Sequence, residues 1–238
     1  MRRVRFEPSK IYHVFNRGVE KRDIFLSDGD RWRFLQGMYL FNDKSTTTNL
    51  LYRLEKEKGK MHFGILREYM KKENIERKPL VRIMADCLKQ NHFHFLLEEI
   101  QKNGISRFMH KLGVGYTKYF NAKYERVGGL FQGTFKAVEI KKDEQLHYII
   151  AYINVINPGQ ELEPELKTAA QDPEEIIRFV EHYPWSTHLE YLGKRESIIS
   201  DKGIAAKLFP TPRSYLGFVR DIVRGKKAVN ANQSFLLE

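Results

Sequence analysis

Two short apolar runs, Val81–Leu88 and His92–Leu97, are separated only by the turn-like break Lys89-Gln90-Asn91. Both read as strands, so this part of the chain is committed to a sheet. The second run alternates as His92-Phe93-His94-Phe95. Residues at i and i+2 of a strand share a face, so both imidazoles can grip one divalent ion from a rigid platform. Ordinary strand alternation also produces such pairs, and the spacing alone fits either reading.

Other segments supply a plan for the sheet. Lys10–Asn16 reads as a first strand, stopped by Arg17-Gly18, and a helix follows from the N-cap Ser27 through Leu40. Residues 43 to 79 are charge-rich and read as a partly helical insertion. After the histidine strand come a helix from Ile105 to Tyr124, the pair Gly128-Gly129, and a fourth strand from Thr134 to Ile140. A last helix runs from Asp143 to Ile156 and is expected to stop at Asn157-Pro158-Gly159. Strand, helix, strand, strand, helix, strand, helix is the split βαβ order, which predicts an α+β, ferredoxin-like domain. Its antiparallel sheet has four strands, with helices on one face and the other face open for a ligand. The first and third strands are then central, and the third carries the histidines. Residues 8–158 make up this domain, and 159–238 form a C-terminal extension packed on the core.

Charge is unevenly spread over the 238 residues, whose net value is +11. Residues 101–142 hold nine Lys/Arg against two acids, whereas 159–183 hold seven acids against two bases. The basic stretch is interleaved with Tyr116, Tyr119, Phe120, Tyr124, Phe131 and Phe135. Cations suit phosphates and rings suit exposed bases, so the pattern fits single-stranded nucleic acid. A solvated helix face fits it equally. The residues expected to contact DNA are Arg17, Lys89, Arg107, Lys111, Lys118, Tyr119, Arg126, Gln132 and Lys136.

One cysteine, Cys87, excludes an intramolecular disulfide and a cysteine-based zinc site. A metal here must use His, carboxylate or amide ligands. No apolar run approaches the roughly 18 to 20 residues of a membrane span, and no signal-type segment follows Met1. The expectation is a cytoplasmic protein with no membrane partner.

The last helix carries Tyr148 and Tyr152, four residues apart on one helical face. Packing explains such a pair. So does chemistry, because a phenolate beside a cation forms more easily than the free pKa of about 10 suggests, and it can attack phosphorus.

Taken together, Tyr12-His13-Val14-Phe15-Asn16-Arg17-Gly18, Asn91–Glu98, Tyr116–Asn121, Gly128–Gly133, Tyr152–Pro158, Tyr183-Pro184-Trp185-Ser186-Thr187 and Tyr191-Leu192-Gly193 resemble a known family. It is the HUH-class, IS200-like single-tyrosine transposases, and most closely their REP-associated branch. The resemblance implies a metal-dependent transesterase that cleaves and rejoins single-stranded DNA beside a hairpin. It implies Mg²⁺ or Mn²⁺ on His92 and His94, Tyr152 as the nucleophile of a 5′-phosphotyrosine intermediate, and a homodimer as the working form. A third, polar metal ligand is expected one helical turn past the tyrosine. That position is Ile156 here, with Asn157 one residue later.

Three readings of this offset stay open. A π-bulge brings Asn157 back to the tyrosine face, or the register slips and Tyr148 is the nucleophile, or the third ligand is lost. The last reading leads to the alternative of a non-catalytic, hairpin-binding protein with a vestigial metal site. A metallohydrolase using water is a further alternative. His13, on the first strand near the metal edge, is read as a satisfied surface or core histidine.

Overall fold

The computed structural model describes residues 4–45, 50–59, 61–74, 76–167 and 169–225. Its β-branched and aromatic runs form four strands: β1 (Ile11–Arg17), β2 (Val81–Leu88), β3 (His92–Glu99) and β4 (Lys136–Ile140). Every pairing is antiparallel and the order is β2-β3-β1-β4, so β1 and β3 are central as the split βαβ plan requires. The protein is α+β with a four-stranded antiparallel sheet.

Alternation along β3 sorts its side chains. Phe93 and Phe95 point to one face, where they meet Phe34 and Phe108. Those rings belong to α1 (Asp28–Phe41) and α4 (Gly104–Lys123), the two crossover helices, which pack on each other and bury the core. His92 and His94 therefore face the other way. The expected charged insertion contains two amphipathic helices, α2 (Leu50–Lys58) and α3 (Phe63–Lys72), which bury Leu50, Leu51, Leu54, Leu66 and Met70.

Asp30 ties the two crossover helices together. Ser27 caps α1 in a reciprocal box with Asp30, and the Asp30 carboxylate also accepts from Tyr119 (2.9 Å), Tyr124 (2.7 Å) and Lys123 Nζ (2.7 Å) of the α4 end. Burial opposes the charge on Asp30, but these donors outweigh it and hold the carboxyl below its ordinary value.

The histidine face is not wholly open. After β4, α5 (Asp143–Ala151) runs into a π-helical segment, Tyr152–Ile156, and a last turn, α6 (Asn157–Gly159), and the π segment packs on β2. The helix thus passes the expected stop at Asn157-Pro158. An α-helical turn would crowd Pro158 against the Asn154 carbonyl, and the wider π turn lies where that conflict would fall. Beyond it, α7 (Pro173–Glu181) packs on the π segment, α8 (His188–Tyr191) and α10 (Pro212–Val223) pack on α7, and α9 (Ala205–Leu208) packs on α5. Tyr183 donates to the Leu88 carbonyl (2.8 Å), Tyr191 donates to that of Met84 (3.0 Å), and the Leu88 N–H donates to Trp185 (2.8 Å). The end of the expected extension, 226–238, lies outside the described residues. Among the described residues no helix is long and apolar enough to cross a membrane.

Removing Asp30 orphans two tyrosine hydroxyls and a lysine and uncaps α1. We expect Asp30→Ala to cost about 3 kcal/mol in urea unfolding. Because the folded carboxyl titrates low, its contribution is present above the ordinary carboxylate range and is lost as pH falls through the folded value. The wild-type advantage over Asp30→Asn should shrink in the same direction.

Candidate metal and nucleic-acid site

β3 delivers the two histidines and β1 braces one of them. In the sheet register Phe15 lies opposite His94 and Arg17 opposite His92. His13, two residues before Phe15, shares their face, and its Nε2 lies 2.8 Å from His94 Nδ1 with both rings buried. The expected satisfied histidine is thus bonded directly to a candidate ligand. His92 is held similarly, its Nδ1 donating to Asn91 Oδ1 at 2.6 Å. Asn91 Oδ1 only accepts, so the His92 proton sits on Nδ1 and the Nε2 lone pair faces the site. Such partners orient imidazoles for metal binding.

Across from them stands the tyrosine helix. The Asn157 N–H donates to the Tyr152 carbonyl, an i to i+5 bond, so the π turn lines these two residues up despite their five-residue spacing. Asn157 Nδ2 lies 3.3 Å from His92 Nε2. Its Oδ1 is buried with no hydrogen-bond partner among the described residues. An orphaned amide oxygen beside two imidazoles fits a hard divalent cation, and a half-turn of the amide would present it. Among the described residues no group of three or more His, Cys, Asp or Glu side chains could hold a metal. The side chains gathered here are two imidazoles and one amide, donors that would suit an ion keeping water or phosphate oxygens in its remaining positions.

The two tyrosines differ. The Tyr152 ring is edge-on to His94 at 5.4 Å and to His13 at 6.1 Å. The Tyr148 hydroxyl instead donates to the Lys167 carbonyl at 3.1 Å, and burial pushes its pKa up to about 12. Tyr152 is only 3% exposed and is not among the residues lining the adjacent cleft.

That cleft, about 400 Å³, is lined by Phe15, Asn16, Arg17, Lys21, Asn91, His92, His94, Gln132 and Lys136. Of the expected DNA contacts, Arg17, Gln132 and Lys136 gather here, and Arg17 Nε donates to Gln132 Oε1. Lys21 and Asn91 join them, a meeting that no local pattern in the sequence signals, and Asn91 Nδ2 donates to the Lys21 carbonyl (3.1 Å). Arg107, Lys111, Lys118 and Tyr119 ride on α4, on the far face of the sheet from the histidines, and Arg126 follows just beyond its end. Arg107 donates to the Lys44 carbonyl (3.3 Å) and Lys111 to that of Asp43 (2.7 Å). Arg126 donates to Asn121 (3.3 Å) and lies over the Phe120 ring. Tyr119 is bonded to Asp30 and stacked under Arg33, which makes it an internal tie between helices.

Lys89 also departs from the expectation. It is 8% exposed, donates to the Asn157 carbonyl at 3.0 Å and pairs with Glu161 at 3.4 Å. Its charge is spent bracing the end of the tyrosine helix. We expect Lys89→Met to destabilise the fold by about 1–3 kcal/mol in denaturant titration, whereas an exposed phosphate contact would cost almost nothing there.

Residues 54–155 match the family described as "Transposase IS200 like", a stretch that holds both histidines and both tyrosines. The likeness to IS200-like transposases read from the motifs is thus found by a separate comparison. A solved structure described as a REP-associated tyrosine transposase bound to a REP hairpin aligns with 12% identity and a TM-score of 0.46, covering 84% of this chain and 93% of that one. No curated protein matches the chain.

Proposed function

We propose that this chain is a transposase-type, metal-dependent DNA strand transferase acting on single-stranded DNA beside a hairpin. The observation that carries the reading is the π turn: it puts Asn157 3.3 Å from His92 while Tyr152, in the same turn, meets His94 edge-on. The family likeness of residues 54–155 supports the same class, and the solved relative named above holds a DNA hairpin.

In this reading His92 Nε2, His94 Nε2 and the Asn157 amide oxygen would hold Mg²⁺ or Mn²⁺, which would polarise the scissile phosphodiester. Arg17, Lys21 and Lys136 neutralise flanking phosphates along the cleft. The Tyr152 hydroxyl loses its proton to solvent and its oxygen attacks phosphorus. The P–O3′ bond breaks as the Tyr–O–P bond forms, and the departing 3′-oxygen is protonated, leaving a 5′-phosphotyrosine and a free 3′-hydroxyl. A second DNA 3′-hydroxyl reverses the step and joins new ends. Tyr148, bonded to the Lys167 carbonyl, is the weaker candidate.

One observation favours a second reading, non-catalytic hairpin binding: Tyr152 is 3% exposed, so substrate must uncover it before attack. Incubation of a labelled hairpin DNA carrying a single-stranded flank with Mn²⁺ separates the two. We expect a protein–DNA adduct stable to denaturing electrophoresis, lost in Tyr152→Phe and retained in Tyr148→Phe. Binding without cleavage at every metal concentration would select the second reading, and cleavage without adduct would select water as nucleophile. In calorimetric titration, Mn²⁺ affinity should fall about 10- to 100-fold in Asn157→Ala and further in His92→Ala.

A further inference from the structure

The π segment buries an amide. All five residues of Tyr152–Ile156 are buried, and Asn154 at their centre is fully so. Two residues past Tyr152 in a helix, its side chain leaves on nearly the opposite side from the tyrosine. There it meets the C-terminal extension: Thr187 Oγ1 donates to Asn154 Oδ1 at 2.7 Å. Thr187 is itself fixed to the sheet. Its Oγ1 accepts from the Asp86 N–H of β2 at 3.0 Å, and its own N–H donates to the Asp86 carbonyl at 3.0 Å. Ser186, just before it, pairs with Cys87 as an isolated antiparallel bridge, and Cys87 is the β2 partner of His94.

The next residue adds a second hold. His188 Nδ1 lies 2.7 Å from the Tyr215 hydroxyl of α10, with both rings fully buried. Burial pulls the His188 pKa down to about 4, so this tie is neutral at neutral pH. Such a cluster is a costly way to fill space. Asn154 Nδ2 and His188 Nε2 are buried without a hydrogen-bond partner among the described residues, and an apolar side chain at 154 would avoid that penalty. What a buried polar contact supplies beyond apolar packing is one defined arrangement of the elements it joins. Pro158 disfavours an α turn here, but it does not fix how the helix rotates around the extra residue. The bond from Thr187 to Asn154 does, because it holds a residue inside the turn against β2.

We propose that Thr187, acting through Asn154, is a positioning residue for the site: the C-terminal extension locks the π turn against β2 and so sets where the Asn157 amide and the Tyr152 hydroxyl stand against His92 and His94. The route is short. The pairing of Ser186 with Cys87 refers the extension to the same sheet register that holds His94, and Thr187 passes that register to the turn. Three residues past Asn154, the Asn157 N–H closes the turn on the Tyr152 carbonyl. Thr187 is 2% exposed and does not line the cleft, so its influence on the site runs through Asn154.

This role rests on the metal-dependent strand-transfer reading above, and the test separates the two. Thr187→Val removes the hydroxyl and keeps the shape, and Thr187→Ser restores the hydroxyl. Asn154→Leu removes the acceptor from the other side. Tyr191→Phe breaks a different tie of the extension to β2, the bond to the Met84 carbonyl, and leaves Asn154 alone. Amide hydrogen exchange of the metal-free protein is read at Asn157, beside Mn²⁺ affinity by calorimetric titration. Thr187→Val and Asn154→Leu should each speed Asn157 exchange about tenfold relative to the β3 amides. Each should also weaken Mn²⁺ binding about tenfold. Thr187→Ser should stay near wild type in both, and so should Tyr191→Phe, even where it lowers the urea midpoint. A lowered midpoint in Thr187→Val with wild-type Asn157 exchange and Mn²⁺ affinity would overturn the positioning role. So would Tyr191→Phe reproducing the losses of Thr187→Val. Faster Asn157 exchange in Thr187→Val, in a protein that binds no Mn²⁺ and forms no DNA adduct, would keep the lock on the turn and overturn the strand-transfer reading instead.

Discussion

The strict alternation of β3 is the constraint on which the rest depends. Because successive side chains leave a strand on opposite faces, Phe93 and Phe95 can anchor the sheet to α1 and α4 only if His92 and His94 point away from that core. Burial energy on one face therefore fixes the geometry of the other. A one-residue slip of register would bury two imidazoles among phenylalanines and expose the rings, so the hydrophobic core enforces the position of the polar site. The antiparallel pairing with β1 adds His13 as a brace on His94, and the turn into β3 adds Asn91 as a brace on His92.

Opposite this rigid platform, the tyrosine helix departs from regular geometry. A π turn is less favourable than an α turn, and such bulges persist where something compensates for them. Here the return is alignment: Tyr152 and Asn157, out of step for an α-helix by one residue, come to the same side. Lys89 secures the arrangement by bonding the Asn157 carbonyl and pairing with Glu161. Much of the acidic 159–183 segment lies beyond this point, away from the cleft formed by Arg17, Lys21 and Lys136. The charge asymmetry of the chain thus has a spatial counterpart only in part, because the basic face of α4 lies on the far side of the sheet.

The strands, the crossover helices and the strand order were legible because period-2 and period-3.6 patterns are local. The two histidines were legible for the same reason. His13 stands out on the first strand, but its bond to His94 depends on the register between strands some eighty residues apart, which no local pattern encodes. In the sequence Lys89 and Tyr119 look like DNA contacts because charge and ring counts do not reveal burial; the first is consumed by the helix end and the second by Asp30. The offset of Asn157 from Tyr152 allowed several outcomes from sequence, and only the packed helix selects the π turn among them.

The central claim is that the π turn completes a metal site begun by the sheet. Anomalous diffraction from crystals soaked in Mn²⁺ tests it most directly. The account predicts one anomalous peak in contact with His92 Nε2, His94 Nε2 and the Asn157 amide oxygen. A peak bound to the histidines with Asn157 turned away, or no peak on that face of the sheet, would contradict it.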